Sequence, residues 1–139
     1  MHKRSETTLI MVDDNVDEIF LTRRQVRKVG IVNRFISEQD PEKIFETLAE
    51  LKSLGNQNVL ILLDVAMPRL NGMELLRQLR AHPDYAAIPV IMLSASDDES
   101  DINEAMKLGA DGYIVKPLKA ETLFAMLKNV PSVKQCLVQ

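Results

Sequence analysis

Three aspartates, a serine and a lysine hold most of the reactive chemistry in this chain. Asp13 and Asp14 follow the apolar run Thr8-Leu9-Ile10-Met11-Val12, and Asp64 follows Val59-Leu60-Ile61-Leu62-Leu63. Ser94 follows Pro89-Val90-Ile91-Met92-Leu93, with Ser96 two residues on, and Lys116 follows Gly112-Tyr113-Ile114-Val115. Each stands where a strand-like run gives way to polar residues. Three converging carboxylates repel one another unless a cation relieves them. With hard oxygen donors and no His or Cys beside them, the fitting cation is Mg2+ rather than zinc. A carboxylate can also attack phosphorus and form an aspartyl phosphate. A lysine and a hydroxyl can then hold phosphoryl oxygens that the metal does not reach.

The elements that must position these residues follow from the apolar pattern. The first strand, Thr8 to Val12, leads to a helix over Val16 to Val29, with Val16, Ile19, Phe20, Val26 and Val29 at helical spacing and Gly30 as its stop. Ile31 to Ile36 reads as a second strand. Asp40 then caps a helix with Pro41 at its first position, and Ile44, Phe45, Leu48, Leu51 and Leu54 form its inner face up to Gly55. The third strand, Val59 to Leu63, has no polar alternation, as a strand covered on both faces requires. A loop with Met67-Pro68 and Asn71-Gly72 enters a helix carrying Met73, Leu75, Leu76 and Leu79, closed by His82-Pro83. A fourth strand at Pro89 to Leu93 is followed by a short helix with Ile102, Ala105, Met106 and Leu108 and by Gly109. The fifth strand, Gly112 to Val115, leads to a last helix from Leu118 to Val130, stopped by Pro131. Strands alternating with helices in this way predict βαβ units and a parallel sheet: an open, doubly wound (βα)5 domain of the α/β class. In such sheets ligands bind beyond the carboxyl ends of the strands, where all five candidate residues lie.

Composition sets the outer bounds. A chain of 139 residues matches one domain, since domains commonly run to about 100–150 residues. Hydrophobic residues at 46% and charged residues at 27% argue against disorder. A formal net charge of −3 argues against bulk nucleic-acid binding, and 4% aromatics with no Trp disfavour base-stacking platforms. No apolar run approaches the roughly 20 residues of a membrane span. Met1 to Glu6 lacks the apolar segment of a secretory signal, and the single Cys136 permits no internal disulfide. The expectation is a reduced, cytoplasmic, single-domain protein.

The order and spacing of four segments together resemble the receiver domains of two-component response regulators. They are Asp13-Asp14, Asp64-Val65-Ala66-Met67-Pro68-Arg69-Leu70-Asn71-Gly72, the strand end at Ser94, and Gly109-Ala110-Asp111-Gly112-Tyr113-Ile114-Val115-Lys116-Pro117. The resemblance covers about Thr8 to Val130, so a receiver over residues 7–131 and a short tail over 132–139 are expected. It implies a flavodoxin-like sheet of order 2-1-3-4-5. It makes Asp64 the phosphoacceptor, with Mg2+ held by Asp14, Asp64 and the backbone carbonyl of Ala66, and by Asp13 mainly through water. Lys116 pairs with the phosphoryl group, Ser94 hydrogen-bonds it, and Tyr113 is the aromatic partner that turns inward when Ser94 moves. The Lys116-Pro117 peptide is expected to be cis. The implied donor is a sensor histidine kinase or a histidine phosphotransfer protein. The implied output runs through the fourth helix, fifth strand and fifth helix, by partner binding, homodimerisation or relay, with Met106, Ile114 and Phe124 as its apolar residues. The connection Ala81 to Pro89 looks like that of stand-alone receivers paired with phytochrome-type or hybrid kinases.

Plainer roles are also available to these residues. Asp13 or Asp14 can cap the first helix, and an isolated strand tyrosine is commonly half-buried packing. Met67, Met73, Met92 and Met106 read as core fillers, and His82 as a surface residue. Pro68 and Gly72 read as backbone geometry. Ala66 and Ser96 occupy positions that, in the resembling family, flank the phosphoryl group and tune its hydrolysis. Two rival readings use the same fold: a Mg2+-dependent phosphohydrolase, for which no cap segment is present, and a flavin binder. The second needs a phosphate-cradling first loop, whereas Asp13-Asp14-Asn15 repels phosphate.

Overall fold

A computed structural model describes residues 7–30, 32, 34–55, 58–67 and 70–130. The start of the expected second strand at Ile31, Pro68, the stop at Pro131, and the tail with Cys136 lie outside the described residues.

Five parallel strands alternate with helices: β1 (Thr8–Val12), α1 (Val16–Val29), β2 (Arg34–Glu38), α2 (Ile44–Ser53), β3 (Val59–Asp64), α3 (Gly72–Ala81), β4 (Val90–Ser94), α4 (Glu99–Lys107), β5 (Gly112–Val115) and α5 (Ala120–Leu127). The sheet order is β2-β1-β3-β4-β5, so the strand order reverses beside β1, and β1 and β3 pair directly there. This is the open α/β arrangement that the sequence pattern predicts.

Side-chain alternation along the strands divides the core into two layers. Leu9 and Met11 of β1, Leu60 and Leu62 of β3, and Ile91 and Leu93 of β4 pack under α1 and α5 with Ile19, Val26, Leu123 and Leu127. Ile10, Val12, Ile61, Leu63, Val90 and Met92 pack on the other face with residues of α2 and α3. β1, β3 and β4 are therefore buried on both faces, which accounts for their unbroken apolar runs.

Several expectations are corrected. β2 runs to Glu38, because Ser37 and Glu38 continue the pairing with Met11 and Val12. Asp40 does act as a cap, but of a 3-10 turn over Pro41–Lys43, and α2 begins only at Ile44. Leu54 lies past the end of α2 and is exposed. In α1 the inward positions are Ile19, Thr22 and Val26, which leaves Val16 and Phe20 in solvent at 62% and 59% exposure. Met106 is exposed rather than a core filler, since Ala105 takes the buried position of α4. Ile114 is buried in the α1–α5 layer, so Val115 supplies the exposed apolar residue of β5. α5 is confined to Ala120–Leu127. His82 is half-buried, stacked on Tyr85 at 4.4 Å and on Phe45 at 5.6 Å between ring centres.

Candidate functional site

The strand ends bring the predicted carboxylates together. Asp13 continues the alternation of Leu9 and Met11, and its backbone N–H still pairs with the Glu38 carbonyl of β2. Its side chain therefore enters the buried layer under α1 and is fully enclosed. Asp14, one residue later, is exposed. Asp64 follows the parity of Leu60 and Leu62 and is also buried. Carboxylate oxygens of Asp13, Asp14 and Asp64 lie within 4.8 Å of one another.

Neither aspartate caps α1. Asn15 does so, accepting from Glu18 N at 3.1 Å. Asp13 Oδ1 accepts from Asn15 N at 2.9 Å, which leaves its Oδ2 buried with no hydrogen-bond donor. Burial, the facing Glu18 carboxyl and the charge of Asp64 push the Asp13 carboxyl up to about 8, against the lowering effect of the Asn15 N–H. A carboxylate oxygen without a donor, inside a three-carboxylate cluster, fits a hard divalent cation. Mg2+ ordinarily binds in this way, through one or two carboxylates plus other oxygens. Asp13, Asp14 and Asp64 are the residues that could hold it, with the Ala66 carbonyl two residues beyond Asp64.

Lys116 enters this cluster from the end of β5. Its backbone N–H donates to the Ser94 carbonyl at 2.7 Å, and its peptide bond to Pro117 is cis. The ammonium donates to Asp64 Oδ1 at 2.9 Å and to Glu18 Oε2 at 2.7 Å. Burial raises the Asp64 carboxyl above its ordinary value, and the Lys116 ammonium and the Ala66 N–H only partly offset this. Burial alone lowers the Lys116 ammonium, but Glu18 and Asp64 outweigh it and hold the group up, so it stays charged. Glu18 is pushed up by burial and pulled down further by Asp13 and Lys116.

Glu18 is the site residue that motif reading missed. A signal was present: Asn15-Val16-Asp17-Glu18 has the spacing of a capping box, which puts a carboxylate in the first helical turn beside Asp13-Asp14.

Ser94 and Tyr113 belong to the other layer. Tyr113 packs against the α2–α3 layer, and Ser94 follows the parity of Val90 and Met92. The two meet through Ser96. Ser94 Oγ accepts from Ser96 N at 3.0 Å, and the Tyr113 hydroxyl donates to the Ser96 carbonyl at 3.0 Å. The Ser96 hydroxyl donates to Asp101 in the first turn of α4 at 2.6 Å. Gly72 closes the site from below. A Cβ there would collide with the Asp64 carbonyl and stand 2.9 Å from Val65 Cα, so α3 can start against Asp64 only with glycine.

This arrangement can bind a divalent cation, present a buried carboxylate to phosphorus, and place one ammonium beside it. Residues 9–128 match the model of the response regulator receiver domain. The chain is 31% identical over 123 residues to the uncharacterized transcriptional regulatory protein YclJ of Bacillus subtilis (strain 168), covering 88% of this chain and 49% of YclJ. It thus spans about half the length of that curated relative. The bacteriophytochrome response regulator RtBRR superposes with a TM-score of 0.77 at 25% identity, over 95% of this chain and 89% of that one. The Mn2+-bound form of the response regulator Rcp1 superposes with a TM-score of 0.65 at 25% identity, over 91% and 92%. With its sheet order, its strand-end acidic cluster and this match over most of its length, the chain belongs to the response regulator receiver domain family.

Proposed function

We propose that Asp64 accepts a phosphoryl group from the phosphohistidine of a sensor histidine kinase or a histidine phosphotransfer protein. Asp14, Asp64 and the Ala66 carbonyl would hold Mg2+ directly, and Asp13 mainly through water. The observation that carries this reading is the Lys116 ammonium, 2.9 Å from the buried Asp64 carboxylate and next to two further aspartates. The Mn2+ in the related Rcp1 structure supports a divalent cation here.

A bound cation supplies charge neutralisation for the phosphoryl oxygens. The chain's own residues do the rest. A carboxylate oxygen of Asp64 forms a bond to phosphorus as the phosphorus–nitrogen bond breaks. The bonding pair leaves with the imidazole nitrogen, which takes a proton from water. Lys116 holds a phosphoryl oxygen on the side of α1 and α5. The Ser94 hydroxyl donates to another from the side of α4. That draws Ser94 toward the acceptor, and through the Ser96 peptide the shift reaches Tyr113 and the start of α4. The output surface is formed by α4, β5 and α5, where Met106, Val115 and Phe124 are exposed. It serves a downstream partner, a second copy of the chain, or relay to a further histidine. The receiver spans residues 7–131, and the protein works in the cytoplasm as a phosphoacceptor, catalysing only its own phosphorylation and dephosphorylation.

Acetyl phosphate with Mg2+, followed by intact mass, tests this reading. Wild type gains one phosphoryl group and Asp64→Asn gains none, with the fold intact by circular dichroism. Equal labelling of the two proteins overturns it.

A further inference from the structure

We propose that Glu18 is a positioning residue for phosphoryl transfer, holding the Lys116 ammonium beside Asp64; this rests on the phosphoacceptor reading of Asp64. Lysine ends in a compact charge on a flexible four-carbon stem, so its ammonium has to be held if it is to meet a phosphoryl oxygen at one place. Lys116 is anchored at its backbone by the Ser94 carbonyl and at its tip by two carboxylates. Of the two tip contacts, the one to Glu18 is the shorter, 2.7 Å against 2.9 Å.

The local geometry shows that the Glu18 side chain is not occupied in capping its own helix. In a capping box, the carboxylate at this position turns back to the N–H of the capping residue. Here that N–H, on Asn15, already donates to Asp13 Oδ1. The Asn15 side chain in turn fixes the Glu18 backbone through its N–H. Glu18 is thus held in place by α1, and its carboxylate, which also faces Asp13, reaches across to the end of β5. Glu18 also lines a cavity of about 620 Å³ with Leu21, Gln25, Lys116 and Leu118. It meets Lys116 from α1, while Asp64 meets it from the end of β3.

The two contacts respond differently to phosphorylation. When Asp64 becomes an acyl phosphate, its carboxylate charge is replaced by that of the phosphoryl group, and the ammonium follows that charge. Glu18 does not change chemically. It keeps one of the three N–H donors of Lys116 and so fixes where the other two point.

The test is a double-mutant cycle timed by acetyl phosphate labelling and intact mass. Glu18→Ala slows labelling of Asp64 by up to about a hundredfold, the scale on which misplacing a catalytic group costs rate. Glu18→Gln, whose amide oxygen still accepts from the ammonium, recovers part of that loss. In a Lys116→Ala background, Glu18→Ala has no further effect, because Glu18 acts through the lysine. A merely structural role predicts the same loss in both backgrounds, and that outcome overturns the proposal. So does labelling at or above the wild-type rate in Glu18→Ala, which would mark Glu18 as a repelling charge only. If Lys116→Ala labels too slowly to time, the 15N-lysine ammonium resonance decides. Lys116 then gives a protected ammonium signal in wild type that is lost in Glu18→Ala, and persistence of the signal overturns the proposal. Failure of wild type to label at Asp64 would instead sink the phosphoacceptor reading, while the ammonium signal would still report on Glu18 and Lys116.

Discussion

Gln25 of α1 caps α5 from outside that helix: its side-chain carbonyl accepts from Ala120 N at 3.0 Å. Lys119, the residue at the capping position, makes no side-chain capping bond of its own. The first turn of α5 therefore depends on α1 for one of its unpaired N–H groups. Replacing Gln25 by Ala is expected to cost about 1 kcal/mol, as loss of a helix cap does. Urea unfolding midpoints check this, and a midpoint unchanged from wild type removes the capping role.

The acidic cluster yields a prediction that separates its two leading aspartates. Asp13 is buried with Oδ2 facing no donor, whereas Asp14 is exposed. Asp13→Asn removes a buried acceptor that has no donor, and one charge of the cluster, and turns that position into a donor facing the Glu18 carboxylate; it is expected to raise metal-free stability by about 1 kcal/mol. Asp14→Ala is expected to change metal-free stability little. Both variants should lose most of the rise in melting temperature that Mg2+ gives wild type, because a ligand that binds only the folded state stabilises it by mass action. Thermal melts with and without Mg2+ decide, and a full Mg2+ shift in either variant removes that residue from the metal site.

Arg80 ties the far end of the sheet together. Its guanidinium donates to the Gly109 carbonyl at 2.9 Å, the Ile88 carbonyl at 2.7 Å and Asp111 at 2.9 Å. Asp111 also accepts from Val90 N at the start of β4. Arg80→Met leaves the partly buried Gly109 and Ile88 carbonyls without this donor and is expected to cost about 1–3 kcal/mol. Arg80→Lys should recover little, since an ammonium cannot reproduce the planar fork. Denaturant unfolding of both variants tests this, and rescue by lysine would show that charge alone matters.

Ser94 links acceptor and output surface in the proposed switch. Ser94→Ala is expected to keep Asp64 phosphorylatable while losing the response of the surface formed by α4, β5 and α5. Sedimentation with and without beryllofluoride measures that response as a monomer–dimer shift. A shift in Ser94→Ala equal to that of wild type would remove the hydroxyl from the sensing role, and no shift in wild type would favour phosphoryl relay over dimerisation.

The layered sheet and the acidic cluster were legible in the chain itself. Val59 to Leu63 has no polar break, which only a strand covered on both faces tolerates, and Asp64 stands at its polar end. The same reasoning located Asp13, Asp14, Ser94 and Lys116, because a parallel sheet sends all its strand ends to one edge. Strand parity further separates Asp13 and Asp64, under α1 and α5, from Ser94 and Tyr113 on the opposite layer.

What the linear pattern could not decide was how each helix is rotated on the sheet. In α1, spacing alone favours Phe20 as an inward residue, yet Thr22 is buried and Phe20 is exposed. The choice depends on the whole surface of β1, β3 and α5 against which α1 packs. That rotation carries Glu18 over the strand ends to Lys116, a partner 98 residues away in sequence. No short-range signal specifies that pair, because a backbone pattern of period 3.6 fixes which residues share a face and not what the face meets. The sequence thus determined the fold and the chemistry at the strand ends. Only the packing of α1 against the sheet and α5 decided which helical carboxylate joins Asp64 at the lysine.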